Sequence, residues 1–169
     1  MRKFTSLLLI SFIALMASQS AVAQIIETDS GMKWYSMEEA QRKAKEEEKK
    51  VLIFGYADWC TYCRKMRKEV YSDTTVQKNI YEHYYPVQLN TESEDKIKFN
   101  GTEVVEGELA GYLRLTSLPT HYFLDEDGEI LGAQPGFLPA EVFEPMLNYV
   151  GTGAFSNMKF EDYIKAKNE

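Results

Sequence analysis

The sequence predicts a single α/β domain, and three observations support this fold class. Apolar runs of strand length alternate with helix-forming segments along most of the 169-residue chain. A strand–turn–strand pattern followed by a helix occupies residues 120–151. No internal repeat, linker or low-complexity tract divides the chain into further units.

The N-terminus has the pattern of a secretory signal peptide. Arg2 and Lys3 form a basic start, residues 7–17 form an apolar stretch, and residues 21–23 read Ala-Val-Ala, a small-x-small cleavage site. The apolar stretch is too short to span a membrane, although an uncleaved N-terminal anchor is the alternative. We therefore expect cleavage after Ala23 and a periplasmic location. Because the residue directly after the cleavage site is Gln24 and not a cysteine, we expect no lipid anchor there.

The cleaved chain is long enough for one domain and is strongly acidic. It has 146 residues, which suffice for a hydrophobic core. The removed segment carries two basic and no acidic side chains, so the formal charge of −7 becomes −9. This acidity argues against nucleic acid and anionic membranes as partners. We expect a lead-in at residues 24–35, the domain at 36–152 and a C-terminal extension with a short helix at 153–169. We expect a monomer.

The first half of the domain is predicted to contain three helices and two strands. Ser36 and Glu39 form a capping box at the start of the first helix. The apolar, partly β-branched run 51–56 predicts a buried central strand. Asp73 caps the third helix. The predicted helices cover residues 37–49, 64–71 and 74–84, and the predicted strands cover residues 51–56 and 85–89.

The second half is predicted to contain two strand pairs and three helices. Asn100-Gly101 between two short strand patterns is a hairpin signal, and residues 125–128 form the second turn. Pro139 fits the first turn of a helix. We interpret residues 91–108 as a surface excursion, although this region could instead shape the choice of partner. The predicted strands cover residues 96–99, 102–104, 120–124 and 129–132, and the predicted helices cover residues 106–113, 139–150 and 158–167.

The candidate chemistry lies at the only two cysteines, Cys60 and Cys63. They follow the predicted central strand and Trp59, and they precede a predicted helix. The free N–H groups and dipole of a helix N-terminus stabilise a thiolate, which lowers the pKa of an exposed first sulfur. That sulfur can attack a disulfide, and the second sulfur can resolve the mixed disulfide. A structural staple is the alternative, but a loop this small gains little chain entropy.

Two motifs resemble those of the thioredoxin superfamily. Residues 56–63 read Tyr-Ala-Asp-Trp-Cys-Thr-Tyr-Cys and resemble its W-C-x-x-C site, and residues 118–120 read Leu-Pro-Thr and resemble its cis-proline loop. Over residues 35–150 the chain is similar to small exported thioredoxins of the SoxW type. It is also similar to the C-terminal domain of DsbD-type transmembrane reductases. The resemblance implies a thioredoxin fold, with a central mixed β-sheet flanked by helices.

The resemblance also implies a role for each site residue. Cys60 would be the attacking thiolate and Cys63 the buried resolving thiol. Trp59 would pack beside the pair, although it could be a packing residue alone. Pro119 would be cis and face the sulfurs, and an ordinary trans proline in a turn is the alternative. The backbone of Leu118 would then face outward, where an extended substrate could pair with it.

The chain departs from the family pattern at a buried pair of charges. Phe54 occupies the position of the family's buried acid, six residues before the first cysteine, and Gln88 occupies that of its partner lysine. Loss of both avoids leaving one charge buried and unpaired. His121 lies two residues after the proline, on the same strand face, and its usual pKa range suits proton transfer to and from Cys63. Water, Glu69 or a purely structural histidine are the alternatives.

The residues between the cysteines favour the reducing end of the superfamily. Neither Thr61 nor Tyr62 is the histidine that accompanies oxidases and isomerases, and the Tyr62 phenol could cover the site or bond a sulfur. The resemblance implies a reductase of other exported proteins, supplied by a DsbD-type membrane electron donor. A disulfide oxidase or isomerase is one alternative, and a thiolate copper chaperone is another. We expect no cofactor and no metal site, and we interpret His83 as structural or exposed.

Overall fold

The computed structural model describes residues 26–27 and 30–167, so the predicted signal peptide lies outside the described residues. The strands in chain order are β1 (Ile26–Glu27), β2 (Lys33–Trp34), β3 (Lys50–Tyr56), β4 (Tyr84–Asn90), β5 (Lys96–Phe99), β6 (Thr102–Val105), β7 (Thr120–Leu124) and β8 (Ile130–Pro135). The helices are α1 (Met37–Glu47), α2 (Thr61–Lys65), α3 (Thr74–His83), α4 (Glu106–Tyr112), α5 (Ala140–Gly151) and α6 (Phe160–Lys167). None of the helices in this described part is long and apolar enough to cross a membrane.

A four-stranded mixed sheet lies at the centre, with the strand order β4–β3–β7–β8. Strand β3 runs parallel to β4 and antiparallel to β7, and β7 runs antiparallel to β8. The predicted central strand is therefore confirmed as β3, which has a neighbour on each side. Five of its seven residues are buried, as expected for a strand covered on both faces. Strands β1 and β2 form a separate small pair.

The core has one part on each face of this sheet. Because successive side chains of a strand point to opposite faces, Leu52 and Phe54 enter one buried cluster and Val51 and Ile53 enter the other. The first cluster also contains Cys63 and is covered by residues of α2, α3 and α5. The redox pair therefore belongs to the core beneath one face of the sheet.

Local signals set the ends of several elements. The Ser36 hydroxyl accepts a hydrogen bond from the Glu39 backbone N–H at 3.3 Å, so the predicted cap of α1 is confirmed. Glu48 adopts a left-handed backbone (φ 53°), which ends α1 two residues earlier than predicted. The Asp73 carboxylate accepts from the backbone N–H groups of Thr75 and Val76, at 2.8 and 3.0 Å, and caps α3 as predicted.

The predicted hairpin is confirmed as β5 and β6. Asn100 and Gly101 form its turn, both with positive φ, which glycine and asparagine tolerate best. The hairpin packs against α1, where the Asn100 N–H donates to the Gln41 side chain at 2.9 Å. An exposed ion pair of 2.9 Å joins Lys98 to Glu38. Residues 91–108 therefore lie on the domain rather than extending away from it.

The helix that follows the cysteines differs from the prediction. It begins at Thr61, three residues earlier than predicted, because Cys60 itself serves as the helix cap. Beyond α2 the chain forms a π-helical stretch, Met66–Val70, in which the Tyr71 N–H donates to the Met66 carbonyl at 3.0 Å. This i to i+5 bond is wider than that of an α-helix. Apolar periodicity does not distinguish the two helix types over so few residues.

Candidate active site

Cys60 and Cys63 form a disulfide at the head of α2, with their Cα atoms 5.2 Å apart. The Cys60 Sγ accepts a hydrogen bond from the Cys63 backbone N–H at 3.1 Å. The Cys60 N–H in turn donates to the Ala57 carbonyl at 3.1 Å, which fixes the turn between β3 and α2. A backbone donor aimed at Sγ stabilises a thiolate more than a thiol. The arrangement therefore suits an attacking Cys60.

Cys60 is more buried than the sequence indicated, whereas Cys63 is buried as the resemblance implied. Cys60 is 4 % exposed and Cys63 is fully buried, so the expectation of an exposed first sulfur is not met in this disulfide form. The reason is that both residues join the buried cluster beneath β3. The predicted order is kept, since Cys60 alone retains accessible surface.

Two exposed aromatic side chains flank the disulfide. Trp59 is 66 % exposed, and its indole N–H donates to the Glu92 carboxylate at 2.8 Å. Tyr62 is 60 % exposed, and its ring centre lies 6.2 Å from that of Phe137. The Lys65 ammonium lies 4.5 Å from the Phe137 ring centre. Tyr62 therefore packs beside Phe137, and the site has a carboxylate on one side and an ammonium on the other.

The loop before β7 supplies the second wall of the site. The peptide bond between Leu118 and Pro119 is cis, the isomer that the resemblance implies. Pro119 is buried, and its carbonyl accepts from the Gly136 N–H at 2.7 Å. Leu118 is half-buried and packs against the cluster that contains both cysteines. The structure thus brings this loop and the redox pair together.

The two positions at which the family has buried charges are neighbours across the sheet, and the charged side chain of another residue lies beside them. Phe54 in β3 is the register partner of Gln88 in β4. Arg67, which the sequence analysis missed, donates to the Gln88 side chain at 2.8 Å. Its guanidinium carbon lies 4.0 Å from the Tyr56 ring centre and 5.6 Å from that of Phe54. The only available signal was the spacing of Arg67, which lies four residues after Cys63 in the π-helical stretch that continues α2.

His121 lies on the sheet face that the periodicity predicted, with the cysteine cluster. It is fully buried, and its ring centre is 4.6 Å from that of Phe143 and 5.6 Å from that of Phe54. Burial lowers the pKa of His121 from 6.5 to about 3, an effect that the backbone of Gln134 partly opposes. The ordinary pKa that suggested a proton carrier is therefore not retained, and the imidazole is neutral at pH 7.

The remaining candidates do not enter the site. Glu69, the alternative proton carrier, is exposed and lies 3.8 Å from Lys65 in an ion pair. His83 is half-buried and packs edge-on against Tyr84, as the structural interpretation required. Within residues 26–27 and 30–167, no three His, Cys, Asp or Glu side chains are grouped as metal ligands.

Comparison with known proteins agrees with this geometry. Residues 37–151 match the family described as thioredoxin-like domain. The chain belongs to this family. A thioredoxin-fold protein from Helicobacter pylori superimposes with a TM-score of 0.65 at 23 % identity, covering 72 % of this chain and 85 % of that chain. The thioredoxin fold that the resemblance implied is thereby confirmed.

Two relatives of this thioredoxin-like chain are named as redox proteins. It is 33 % identical to the thiol:disulfide interchange protein DsbD of Actinobacillus pleuropneumoniae over 102 residues, 59 % of this chain but 16 % of that protein. It is 28 % identical to the disulfide bond reductase DsbH of Chlamydia pneumoniae over 115 residues, 65 % of this chain and 66 % of that protein. The chain thus spans only a small part of the DsbD relatives. These matches and the Cys60–Cys63 pair place the domain in the thiol–disulfide oxidoreductase class.

Proposed function

We propose that this protein is an exported, monomeric reductase that reduces disulfides in other exported proteins. The observation that carries the proposal is the 3.1 Å hydrogen bond from the Cys63 N–H to the Cys60 sulfur at a helix N-terminus. The name of the DsbH relative supports the reducing direction. The signal-peptide pattern at residues 1–23 supports export.

The reaction uses the two sulfurs in sequence. The Cys60 thiolate attacks one sulfur of a client disulfide, forms a mixed disulfide and releases the other client sulfur as a thiolate. The Cys63 thiol then loses its proton, and its sulfur attacks the Cys60 sulfur. This step forms the Cys60–Cys63 disulfide and releases the second client thiolate. Two electrons pass to the client, whose thiolates take protons from solvent.

The neighbouring residues orient the client. The exposed rings of Trp59 and Tyr62 offer apolar surface on either side of the sulfurs. The backbone of Leu118 lies beside the buried Pro119, where an extended client segment could add main-chain hydrogen bonds. Each turnover leaves the protein oxidised, so a dithiol donor must return two electrons. A membrane protein of the DsbD type is the proposed donor.

The reduction potential of the Cys60–Cys63 pair tests the direction of the reaction. The protein lacking residues 1–23 is equilibrated with a dithiothreitol or glutathione couple, and the oxidised fraction is measured. A potential near about −250 mV or lower supports a reductase that depends on a donor. A potential of about −120 to −180 mV instead supports an oxidase or isomerase.

Trapping tests whether protein disulfides are the substrates. Cys63→Ala should hold clients as mixed disulfides on Cys60, because the resolving sulfur is gone. Cys60→Ala is the control and should trap none. An empty Cys63→Ala trap argues against exchange with proteins. Export is checked in the cells that express the trapping variant. The N-terminal residue of the exported chain is determined, and it should be Gln24.

A further inference from the structure

The side chains of four neighbouring residues contain buried polar atoms that have no hydrogen-bond partner. Among residues 26–27 and 30–167, five buried side-chain nitrogen and oxygen atoms lack a partner with hydrogen-bond geometry. They are Arg67 Nε, Tyr71 Oη, Gln88 Nε2 and both ring nitrogens of His121, although the Gln134 backbone lies near enough to the imidazole to influence its pKa. Buried polar groups in native proteins are nearly always satisfied, commonly by internal water. Five such atoms around one site therefore call for internal water, a functional role, or both at that site.

The four residues are all neighbours of Phe54 in the central strand β3. Gln88, Phe54 and His121 are register partners on three adjacent strands, so their side chains form one row on one face. The Tyr71 ring centre lies 5.1 Å from that of Phe54 and 6.1 Å from that of His121. Arg67 bonds Gln88 at the other end of the row. All four residues therefore surround the Phe54 ring.

The resolving cysteine lies on the same side of the helix as this group. Cys63, Arg67 and Tyr71 are spaced by four residues, which places them on one helix face. Cys63, Tyr71 and Phe54 also belong to one buried cluster, so this face is the one turned toward the sheet. The buried polar atoms thus lie on the same side of the sheet as the thiol that must lose a proton during the reaction.

We propose that Tyr71 and His121, bridged by internal water, form a proton path from the Cys63 thiol to solvent at Arg67 and Gln88. This inference rests on the proposed function, since it concerns the step in which Cys63 resolves the mixed disulfide. The proton leaves Sγ for a bridging water, passes along the neutral hydroxyl and imidazole, and a proton leaves to solvent at the far end. No atom of the path is oxidised or reduced.

The outer end of the path reaches the surface. Arg67 and Gln88 are half-buried, and Arg67 lines a surface depression together with Asp58, Arg64 and Lys68. Solvent can therefore exchange protons there. The guanidinium of Arg67 is a permanent cation that favours loss of a proton from its surroundings. Arg67 lies beside the position where the family resemblance places a titrating carboxylate, but it does not itself accept the proton, which must pass to water.

The Tyr71 hydroxyl and the His121 imidazole both stay uncharged near neutral pH. Burial raises the pKa of Tyr71 well above its usual value despite the opposing charge of Arg67, and it lowers that of His121 to about 3. The charged groups that face the path are Arg67 on the helix and, at its surface end, Asp58, Arg64 and Lys68. A neutral phenol and a neutral imidazole each carry a donor and an acceptor, so both can relay a proton.

Reduced protein mixed with the aromatic disulfide dithiobis-nitrobenzoate separates the two steps. Attack by Cys60 releases one coloured thiolate at a rate proportional to reagent concentration. Resolution by Cys63 releases the second at a rate independent of it. We expect Tyr71→Phe and His121→Phe to slow the second phase at least about five-fold at pH 7, because the relay is broken. The first phase should stay within about two-fold of wild type.

The matched control is Tyr84→Phe, since Tyr84 is equally buried but its hydroxyl donates to the Leu147 carbonyl at 2.7 Å. It should leave both phases unchanged. Wild-type second-phase rates in either Tyr71→Phe or His121→Phe overturn the path, and so does equal slowing of both phases. If one variant does not fold, the other decides.

The pH profile of the wild-type second phase provides a second test. Between about pH 5 and about pH 9 it should follow one ionisation, that of the Cys63 thiol, because the path groups do not titrate there. An additional ionisation overturns the path. If wild-type protein releases only one thiolate per molecule, Cys63 does not resolve the mixed disulfide and the proposed function fails as well, which distinguishes the two failures.

Discussion

The indole N–H of Trp59 donates a 2.8 Å hydrogen bond to Glu92, a residue 33 positions further along the chain. Glu92 lies at the start of the region 91–108, and its own N–H donates to the Asn90 side chain at 3.0 Å. The Asn90 N–H donates to the Glu106 carboxylate at 2.7 Å, so both ends of the region are held together. Because the Trp59–Glu92 hydrogen bond joins the region to the aromatic side chain before Cys60, we predict that the region shapes partner choice, the alternative to a simple surface excursion.

We predict that Glu92→Ala weakens the reduction of protein disulfides without affecting small disulfides. Loss of one hydrogen bond frees the exposed Trp59 ring to adopt several orientations, and ordering it again on binding costs affinity. The KM for a disulfide-bonded protein such as insulin should rise up to about five-fold, with kcat unchanged. The reaction with dithiobis-nitrobenzoate should keep its wild-type rate.

Glu94→Ala is the matched control for this prediction. Glu94 is an exposed carboxylate two residues away, so its removal changes the net charge by the same amount. We expect wild-type kinetics from it. If Glu94→Ala raises the KM as much as Glu92→Ala does, the effect comes from charge and the contact with Trp59 is not responsible.

The sequence was sufficient to predict the elements whose signals are local. The buried run that became β3, the Ser36 and Asp73 caps and the Asn100-Gly101 turn each depend on residues within a few positions of one another. The placement of Cys60 at a helix start followed from the same kind of signal. Local patterns set these features because backbone hydrogen bonds and side-chain caps act over one turn.

The contacts that tune the site could not be predicted, because they join residues far apart in the chain. Arg67 meets Gln88, 21 positions away, and only the fold shows that it lies over Phe54. The burial of His121 likewise depends on Phe143, which a helix from the end of the domain brings over β7. Periodicity assigned His121 its face but not its surroundings, and the surroundings determine its pKa.

We predict that His121 makes the protein less stable as the pH falls. In the unfolded chain the imidazole takes a proton below about pH 6.5, whereas in the folded protein its pKa is about 3. The unfolded state therefore binds more protons in this window, and the free energy of unfolding decreases on acidification. The loss attributable to His121 between about pH 7 and about pH 4 is on the order of 3 kcal/mol.

Urea unfolding of wild type and His121→Phe at both pH values checks this prediction. The variant should lose less stability on acidification, because its aromatic ring does not titrate. His83→Gln is the control: it removes the chain's other histidine without changing the cluster around Phe54, and we expect it to keep the wild-type dependence. An identical pH dependence in His121→Phe would show that His121 takes up its proton over the same pH range in the folded and unfolded protein.

We predict that restoring a carboxylate at the family's buried position is strongly destabilising here. Phe54 is fully buried, and its ring stacks 6.0 Å from that of Trp34 and meets Tyr71 edge-on. Phe54→Asp removes these contacts and buries a carboxyl group, for an expected loss of about 4 kcal/mol in the free energy of unfolding. Phe54→Leu keeps the site apolar and should cost about 1 to 2 kcal/mol.

The difference between the two Phe54 variants measures whether Arg67 can compensate a buried carboxylate. Burial of an ion pair repays its desolvation only when the geometry is good, and Arg67 already bonds Gln88 and stacks on Tyr56. We therefore expect the Asp variant to remain the less stable at pH 7 in urea unfolding. Equal stability of the two variants would mean that Arg67 turns from Gln88 to the new carboxylate. In that case, Arg67→Met should lower the free energy of unfolding more in the Phe54→Asp background than in the Phe54→Leu background.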